Sequence, residues 1–192
     1  MKDILRLVIV LGAICTVAGL LLAGVRQLTL EPIEYQKLVV KEKSIKAVLT
    51  GFDNNPITDR VKVPAGKDKK GRDVVQNVFP AKKGGQVFAL ALDQGESGYS
   101  GVVNVMVGLK PDGQLVGIAI VSHSETPGKG SLVTEAAYTD KYKGIAEKDI
   151  AGVQTISGAT ISSKAVMAAT AKAVKFYKAN KDAIMAEFAK KK

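Results

Sequence analysis

The chain has 192 residues, a one-domain length, and a formal net charge of +10 at pH 7. The lysines are spread along the chain and only 5% of the residues are aromatic, so a nucleic-acid surface with basic clusters and stacking rings is not predicted. With a single cysteine, Cys15, and a single histidine, His123, a metalloenzyme or thiol enzyme is also disfavoured, and any redox chemistry requires an organic cofactor.

An uncharged run from Leu7 to Val25 dominates the N-terminal end of the chain. At about 1.5 Å per residue it forms roughly 28 Å of helix, which is enough to cross the hydrocarbon core of a bilayer. A cleaved signal peptide is one alternative, but the run is long for one and no clear A-x-A site follows it. A buried soluble helix is the other, and it is disfavoured because no face of the segment is polar. We therefore predict an uncleaved membrane anchor.

The anchor divides the sequence. We predict residues 1–29 as an N-terminal tail and transmembrane helix, and residues 30–192 as one domain whose core lies in residues 86–180. Only Lys2 and Arg6 precede the span, whereas five basic residues follow it closely: Arg26, Lys37, Lys41, Lys43 and Lys46. By the positive-inside rule, the larger number of basic residues after the span predicts that the domain lies in the cytoplasm. Long domains, however, translocate largely regardless of charge. Composition alone leaves the side of the membrane open.

Helical spacing of apolar residues resumes after the anchor. Pro32 suits the first turn of a helix, so we predict an amphipathic helix that starts there and ends near Leu49. Residues 51–60 have the composition of turns. Residues 63–73 are charged and contain glycine, which predicts a loop at a hairpin tip or a mobile insertion.

Four short β-like runs follow, at residues 74–79, 86–92, 102–109 and 115–122. The last two flank a loop that contains Asp112-Gly113, which is a typical β-hairpin pattern. The next stretch, residues 124–131, has Pro127 among turn formers and predicts an irregular loop.

The C-terminal part is predicted to be mainly helical. Residues 134–145 favour a short helix and a loop, and residues 153–156 a brief strand. A long helix is expected over residues 162–179, interrupted at Asn180, with a last turn or two at residues 184–188. The chain is thus predicted to be an α+β domain, with an antiparallel sheet and flanking helices, behind a single transmembrane helix.

The first candidate site is Ser157-Gly158-Ala159-Thr160, just before the long helix. Unpaired amides at a helix start favour a negative group such as phosphate, and the small residues permit close approach of a ligand. An ordinary hydroxyl N-cap explains the same residues and stays open as an alternative.

The second candidate site is the stretch from His123 to Gly130, where a Pro-Gly turn presents Glu125 and Thr126 at the end of a strand. A phosphate-binding P-loop is excluded because Gly130 stands where that motif requires Ser or Thr. A hydrolase triad on His123 is disfavoured because no Gly-x-Ser-x-Gly elbow exists. A solvated turn remains the alternative.

The third candidate site is the turn Gly98-Tyr99-Ser100-Gly101. Its two glycines bracket an aromatic residue directly before a valine-rich strand. Tyr99 either packs on the core or lies against a planar ligand, and the residues alone do not decide between the two.

Taken in order, the N-terminal span, the Gly-Tyr-x-Gly turn, the ETPG-x-G loop and the SGAT-x-S helix entrance resemble one family. It is the FMN-binding domain of two membrane electron-transport complexes, the Rnf complex and the sodium-pumping NADH:quinone reductase. The single span and compact domain are most similar to the G subunit of the Rnf complex. The C subunit of the reductase, generally a longer chain, is the second choice.

The resemblance implies a covalent cofactor. In that family a flavin transferase, acting outside the cytoplasm with FAD as donor, joins the FMN phosphate to the threonine of SGAT, which here is Thr160. The implied cofactor-binding residues are Tyr99, Glu125, Thr126, Gly128, Lys129, Gly130, Ser157, Gly158, Ala159, Thr160, Ile161 and Ser162. Glu125 and Thr126 are expected near the polar edge of the flavin ring.

The resemblance also implies partners and a location. The partners are the other membrane subunits of an Rnf-type complex and the flavin transferase. The chain is expected to be single-pass in the cytoplasmic membrane, with its domain on the periplasmic side. Two residues depart from the family pattern: Gln154 replaces the usual aspartate and Lys129 the usual leucine. The alternatives are a stand-alone extracytoplasmic flavoprotein, a non-covalent FMN or phosphate-binding module, and a lipid-contacting scaffold without cofactor.

Overall fold

A computed structural model describes residues 2–67 and 71–190 of the chain. The chain separates into two units, Met1–Val39 and Val40–Lys192. The first unit is helical throughout its described part. The second contains all of the strands of the described chain and both core clusters.

Helix α1, Lys2–Val48, contains the predicted membrane span. Its most apolar window has a mean hydropathy of 2.6 and no buried residue. Leucine, isoleucine and valine side chains between Ile4 and Val25 are largely exposed, as expected for a helix whose environment is lipid. By length and composition, this helix is suited to cross a membrane once.

The prediction that Pro32 starts a separate helix is wrong, because α1 continues through it. A proline inside a helix removes one backbone hydrogen bond and costs on the order of 3 kcal/mol. No glycine lies between Gly24 and Gly51, and good helix formers flank the proline on both sides. Many retained helical hydrogen bonds therefore outweigh the one that is lost.

The second unit is built on a five-stranded antiparallel sheet in the order β1-β2-β3-β4-β5. Its strands are β1, Val61–Lys67; β2, Asp73–Lys83; β3, Gln86–Ser97; β4, Val102–Leu109; and β5, Leu115–Ser122. The predicted β4 and β5 are confirmed to the residue. The predicted β2 is too short, because the turn that joins it to β3 consists only of Gly84 and Gly85. Both of these have positive φ, 57° and 78°, as a tight hairpin turn requires. The predicted β3 starts correctly at Gln86, but the strand continues beyond residue 92 to Ser97.

The loop predicted over residues 63–73 is wrong at its start and its end, which are strand residues. Val61 and Val63 are buried while Lys62 between them is exposed, so this is a short alternating strand. Pro64 is tolerated because β1 is an edge strand. The middle of the predicted loop, residues 68–70, lies outside the described residues.

Helices cover both faces of the sheet. The end of α1 packs on one face, where Ile45 and Leu49 are buried against Phe79 and Met106. Helix α3, Thr160–Lys190, packs on the other face through Val166, Ala169, Ala173 and Tyr177 among other residues. The predicted α+β fold with flanking helices is confirmed.

The connection from β5 to α3 is mostly short helical turns. It contains the 3₁₀ segments Gly130–Thr134, Asp140–Tyr142 and Glu147–Gly152 and the short helix α2, Ala136–Thr139. The predicted strand at residues 153–156 is wrong: Val153 and Ile156 pack on the core, but the segment is irregular. Helix α3 begins two residues earlier than predicted. The predicted interruption at Asn180 is confirmed, because this residue has a non-helical φ of −121° and ψ of 15° and the helix is kinked there.

Gly108 on β4 is expected to be essential for the packing of α1 on the sheet. A Cβ atom added there would lie 2.2 Å from Cγ1 of Val48 and 3.0 Å from Cδ2 of Leu49. Gly108→Ala is therefore expected to lower the free energy of unfolding by about 1–3 kcal/mol, measured by urea denaturation. Gly117 is its partner on β5, where an added Cβ would meet only Lys143 at 3.5 Å. Gly117→Ala is the matched control, and an equal loss in both variants would contradict this account.

Candidate functional site

Three chain segments meet at one end of the sheet. Ser97 at the end of β3 pairs with Val102 at the start of β4, and Ser122 at the end of β5 pairs with Asn104. The turn at residues 98–101 and the loop at residues 123–130 therefore leave the sheet at the same end. The first turn of α3 completes the group, so the topology brings all three predicted candidate sites together.

These segments enclose a cavity of about 550 Å³. That volume is within the range of roughly 300–1,000 Å³ typical of small-molecule sites. The cavity is lined by Tyr99, Glu125, Thr126, Lys129, Gly130, Gly158, Ala159, Thr160, Ile161 and Ser162. All ten belong to the residues predicted from the sequence. The other two predicted residues, Gly128 and Ser157, are neighbours of the lining residues in the chain but do not line the cavity themselves.

Glu125 joins the three segments. Its side chain is only 4% exposed. Its Oε2 accepts a hydrogen bond of 2.6 Å from the hydroxyl of Ser162 on α3. Its Oε1 accepts a hydrogen bond of 3.1 Å from the backbone N–H of Ser100. Both carboxylate oxygens are therefore engaged by protein groups from the two other segments.

Two glycines allow this carboxylate to be enclosed. A Cβ atom at Gly98 would lie 2.3 Å from Oε1 of Glu125, and one at Gly130 would lie 2.6 Å from Oε2. Any larger residue at either position would displace the carboxylate. The glycines of the Gly-Tyr-x-Gly and ETPG-x-G motifs thus serve close packing around Glu125.

The pKa of Glu125 is held below its ordinary value. Burial raises the pKa, but the hydrogen bond from Ser162, the hydrogen bond from the Ser100 amide and the nearby amides of Tyr99 and Gly101 together outweigh burial. The carboxylate is therefore ionised at neutral pH, and it serves as a fixed negative charge that organises the surrounding loops.

The start of α3 presents free backbone amides to the cavity. Within the described chain, the N–H groups of Thr160, Ile161 and Ser162 have no protein acceptor; the first helical bond at this end runs from Ser163 N–H to Ala159. The N-cap is Ala159, which has no hydroxyl. The hydroxyl of Ser163 accepts instead from the N–H of Ile156. The ordinary hydroxyl N-cap is therefore absent here, and the three unpaired donors belong to residues that line the cavity.

Thr160 is exposed, and no described residue hydrogen-bonds to its hydroxyl. Beside it, Gly158 has a φ of +77°, a conformation that favours glycine, and open space where a Cβ would lie. A ligand can therefore approach the backbone and the Thr160 hydroxyl closely.

The rim of the cavity combines apolar and cationic groups. Tyr99 is 73% exposed and Ile161 is 52% exposed, so the alternative in which Tyr99 packs on the core is wrong. Lys129 is exposed in the turn formed by Pro127 and Gly128. This turn is fixed by a 2.9 Å hydrogen bond from the N–H of Gly128 to the hydroxyl of Ser131.

Sequence reasoning missed the contributions of Ser100 and Gly98. The Ser100 hydroxyl lies 3.4 Å from that of Thr126, and its amide binds Glu125. The two glycines of the turn indicate that another group packs closely against it, but that group, the Glu125 carboxylate, lies 25 residues away from Ser100 in the sequence and cannot be identified from the turn alone. His123 makes no hydrogen bond to a serine hydroxyl of the described chain, and its Nδ1 accepts a hydrogen bond from the N–H of Glu125.

Comparison with known proteins places these features in a family context. A model of the FMN-binding domain family matches residues 98–175, which include all of the cavity lining. The G subunit of the ion-translocating oxidoreductase complex of Methanosarcina acetivorans is 30% identical over 190 residues, covering 93% of this chain and 96% of that protein. The G subunit of the proton-translocating ferredoxin:NAD(+) oxidoreductase complex of Clostridium ljungdahlii is 28% identical, covering 83% of this chain and 84% of that protein.

The fold is also found in a solved structure. The crystal structure of Shewanella oneidensis NqrC superposes with a TM-score of 0.52 at 21% sequence identity, covering 70% of this chain and 75% of that chain. At this identity the likeness establishes a shared fold. Function must be argued from the site.

Proposed function

Because this chain belongs to the family of G subunits of ion-translocating oxidoreductase complexes and contains an FMN-binding domain, we propose that it carries FMN covalently attached to Thr160. In this role it is a membrane-anchored electron-transfer subunit of such a complex. When bound, FMN accepts and passes on electrons one or two at a time. Protein side chains then need only hold, orient and shield the cofactor.

One observation carries the proposal: residues 160–162, whose amides have no protein acceptor, line the cavity, and Thr160 among them has a hydroxyl without a hydrogen-bond partner in the described chain. A helix start with unpaired N–H groups favours a phosphate, both through direct hydrogen bonds and through the helix dipole. The same short segment thus offers donors for the phosphate oxygens and a hydroxyl for an ester. This combination supports FMN over a ligand without a phosphate group.

The rest of the cavity also suits FMN. The exposed ring of Tyr99 and the side chain of Ile161 give apolar surfaces for a planar aromatic group. Thr126 supplies an exposed hydroxyl at the rim. Glu125 supports the site indirectly in this arrangement, because its oxygens already bind Ser162 and Ser100.

The attachment requires a partner enzyme. The Oγ of Thr160 forms a bond to the phosphorus of the FMN half of FAD, the bond between the two phosphate groups breaks, AMP leaves, and the hydroxyl proton is released. The step involves no oxidation or reduction. Since no described residue accepts a hydrogen bond from the Thr160 hydroxyl, we infer that a flavin transferase supplies the base. The exposure of Thr160 gives such an enzyme access.

Intact mass spectrometry of the chain from membranes of its native host tests the proposal. The expected result is an added mass of one FMN less one water, and yellow fluorescence that stays on the polypeptide after denaturation. A chain of unmodified mass without fluorescence would contradict covalent attachment. Retention of FMN only before denaturation would support the non-covalent alternative.

The proposed location is the extracytoplasmic side, with neighbouring membrane subunits of the complex as partners. The apolar part of α1 supports the membrane anchor, and the complex subunits among the relatives support the partners. The side of the membrane is proposed from the family resemblance alone. Digestion of intact spheroplasts by a protease should remove the domain while leaving a cytoplasmic marker whole. Protection of the domain under these conditions would place it in the cytoplasm.

Lys129 is expected to raise the reduction potential of the bound flavin. It lines the cavity, and it makes no ion pair with any described residue. A nearby cation stabilises the negative charge that reduction adds, so Lys129→Leu should lower the potential by on the order of tens of millivolts in a redox titration. Lys129→Arg, which retains the charge, is the control. An unchanged potential in Lys129→Leu would refute this role.

A further inference from the structure

A second groove lies beside the candidate site, between α3 and the 3₁₀ segment Glu147–Gly152. Its volume is about 680 Å³. The floor is apolar and is formed by Ile150, Met167, Ala168 and Ala171, and the rim carries Lys148 and Lys164.

The groove continues the face of α3 on which Thr160 lies. Lys164, Ala168 and Ala171 follow Thr160 at intervals of three or four residues, which places all four on one side of the helix. Lys164 is one turn, or about 6 Å along the axis, from Thr160. A protein seated in the groove would therefore lie directly next to the mouth of the flavin cavity.

Some lysines of α3 are paired with a carboxylate, whereas others, including Lys175 and Lys181, have no ion-pair partner among the described residues. Lys172 and Lys178 on α3 are each paired with a carboxylate of the same domain, Glu96 and Glu147 respectively. Lys148 and Lys164 are exposed and have no ion-pair partner among the residues that the structure describes. Because Glu147 on the rim is already neutralised by Lys178, the groove presents an excess of positive charge around an apolar floor.

We propose that this groove docks an acidic segment of a neighbouring protein subunit of the complex, one in which an apolar side chain is flanked by carboxylates. The alanines at positions 168 and 171 permit close approach of the partner backbone, and the lysines pair with its carboxylates. Docking there brings the partner's electron carrier beside the cavity, and this role rests on the proposed function.

Site-specific photocrosslinking in the assembled, purified complex tests the docking surface. A p-benzoylphenylalanine at position 168 should crosslink to an acidic segment of one neighbouring subunit, identified by peptide mass spectrometry. The same group at position 83 is the control, because Lys83 is exposed and lies at the opposite end of the sheet from the site. Lys83 pairs with Gln86 at the start of β3, whereas the site lies beyond the end of that strand. No crosslink from position 168, or a crosslink only to a second copy of this chain or to lipid, would overturn the proposal.

Charge reversal tests the role of the lysines. In the complex, the double variant Lys148→Glu, Lys164→Glu should slow reduction or oxidation of the flavin by its neighbouring carrier about tenfold or more. The matched variant Lys148→Gln, Lys164→Gln should show a smaller effect, and Lys83→Glu none. Unchanged kinetics with unchanged flavin content would overturn the proposal.

Flavin content separates this inference from the proposed function. Flavin is measured on the denatured chain of each variant before the kinetics are compared. A wild-type chain that lacks flavin but still crosslinks through position 168 would support docking and contradict the proposed function. A wild-type chain that carries flavin but does not crosslink through position 168 would support the proposed function and contradict docking in the groove.

Discussion

Thr160→Ala is expected to abolish covalent flavin attachment and leave the fold intact. The substitution removes the only oxygen of this side chain that can form the ester. The hydroxyl is exposed and makes no hydrogen bond to a described residue, so the free energy of unfolding should change by less than about 0.5 kcal/mol. In-gel fluorescence of the denatured chain and its intact mass should both report complete loss of the flavin.

Thr160→Ser is the matched control, since serine keeps the hydroxyl and removes only a methyl group. It should retain flavin when it is produced together with the transferase and FAD. Omitting the transferase must leave the wild type empty, which shows that the reaction is enzymatic. Flavin that persists on Thr160→Ala would place the ester elsewhere. Ser157 is the hydroxyl residue before the helix that is nearest to Thr160 in the sequence.

Local sequence patterns predicted strands β4 and β5 well and strand β1 poorly. The Asp112-Gly113 turn marks the end of β4 and the start of β5, and the turns at residues 98–101 and 124–131 mark their outer ends. The prediction of both strands was confirmed to the residue. At β1, Pro64 and the lysines suggested a loop, because the sequence does not reveal that this strand lies at an edge. Residues 153–156 have β-like composition, yet no strand forms there. Their apolar side chains are used for packing on the core.

The sequence predicted which residues line the cavity, but it did not predict the hydrogen bonds that connect them. The cavity unites three motifs that the sequence presents separately, and only the topology of the sheet shows that they share one end. Glu125 was expected to face the flavin ring, a contact that stays a prediction. Its observed bonds to Ser100 and Ser162 span 25 and 37 residues, and no local pattern reports contacts at such separations.

Glu125→Ala is expected to be the most destabilising substitution at the site. It removes a buried carboxylate and leaves the Ser162 hydroxyl and the Ser100 N–H without their partner. The Ser162 hydroxyl is buried, and an unpaired buried donor costs about 1–3 kcal/mol, whereas Ser100 is exposed and its N–H can bind water. Urea denaturation of the full chain in detergent should show that loss. Flavin attachment should slow as well, because the three segments are no longer held together.

The low pKa of Glu125 gives this contribution a defined pH dependence. A carboxylate with a lowered pKa in the folded state stabilises the protein above its ordinary pKa, and the contribution disappears as the pH falls through the lowered value. The stability difference between wild type and Glu125→Gln should therefore be constant near neutral pH. It should narrow only below pH 4.5, the ordinary value for glutamate.

Glu125→Gln separates the effect of charge from that of shape. Glutamine keeps an oxygen that accepts from the Ser100 N–H, and its amide group can donate to the oxygen of Ser162. It should therefore lose less stability than Glu125→Ala. Glu135→Ala, at an exposed glutamate whose side chain makes no described hydrogen bond, should be near neutral. If Glu125→Ala were no more destabilising than Glu135→Ala, the carboxylate would not be what joins the turn at residues 98–101, the loop at residues 123–130 and the start of α3.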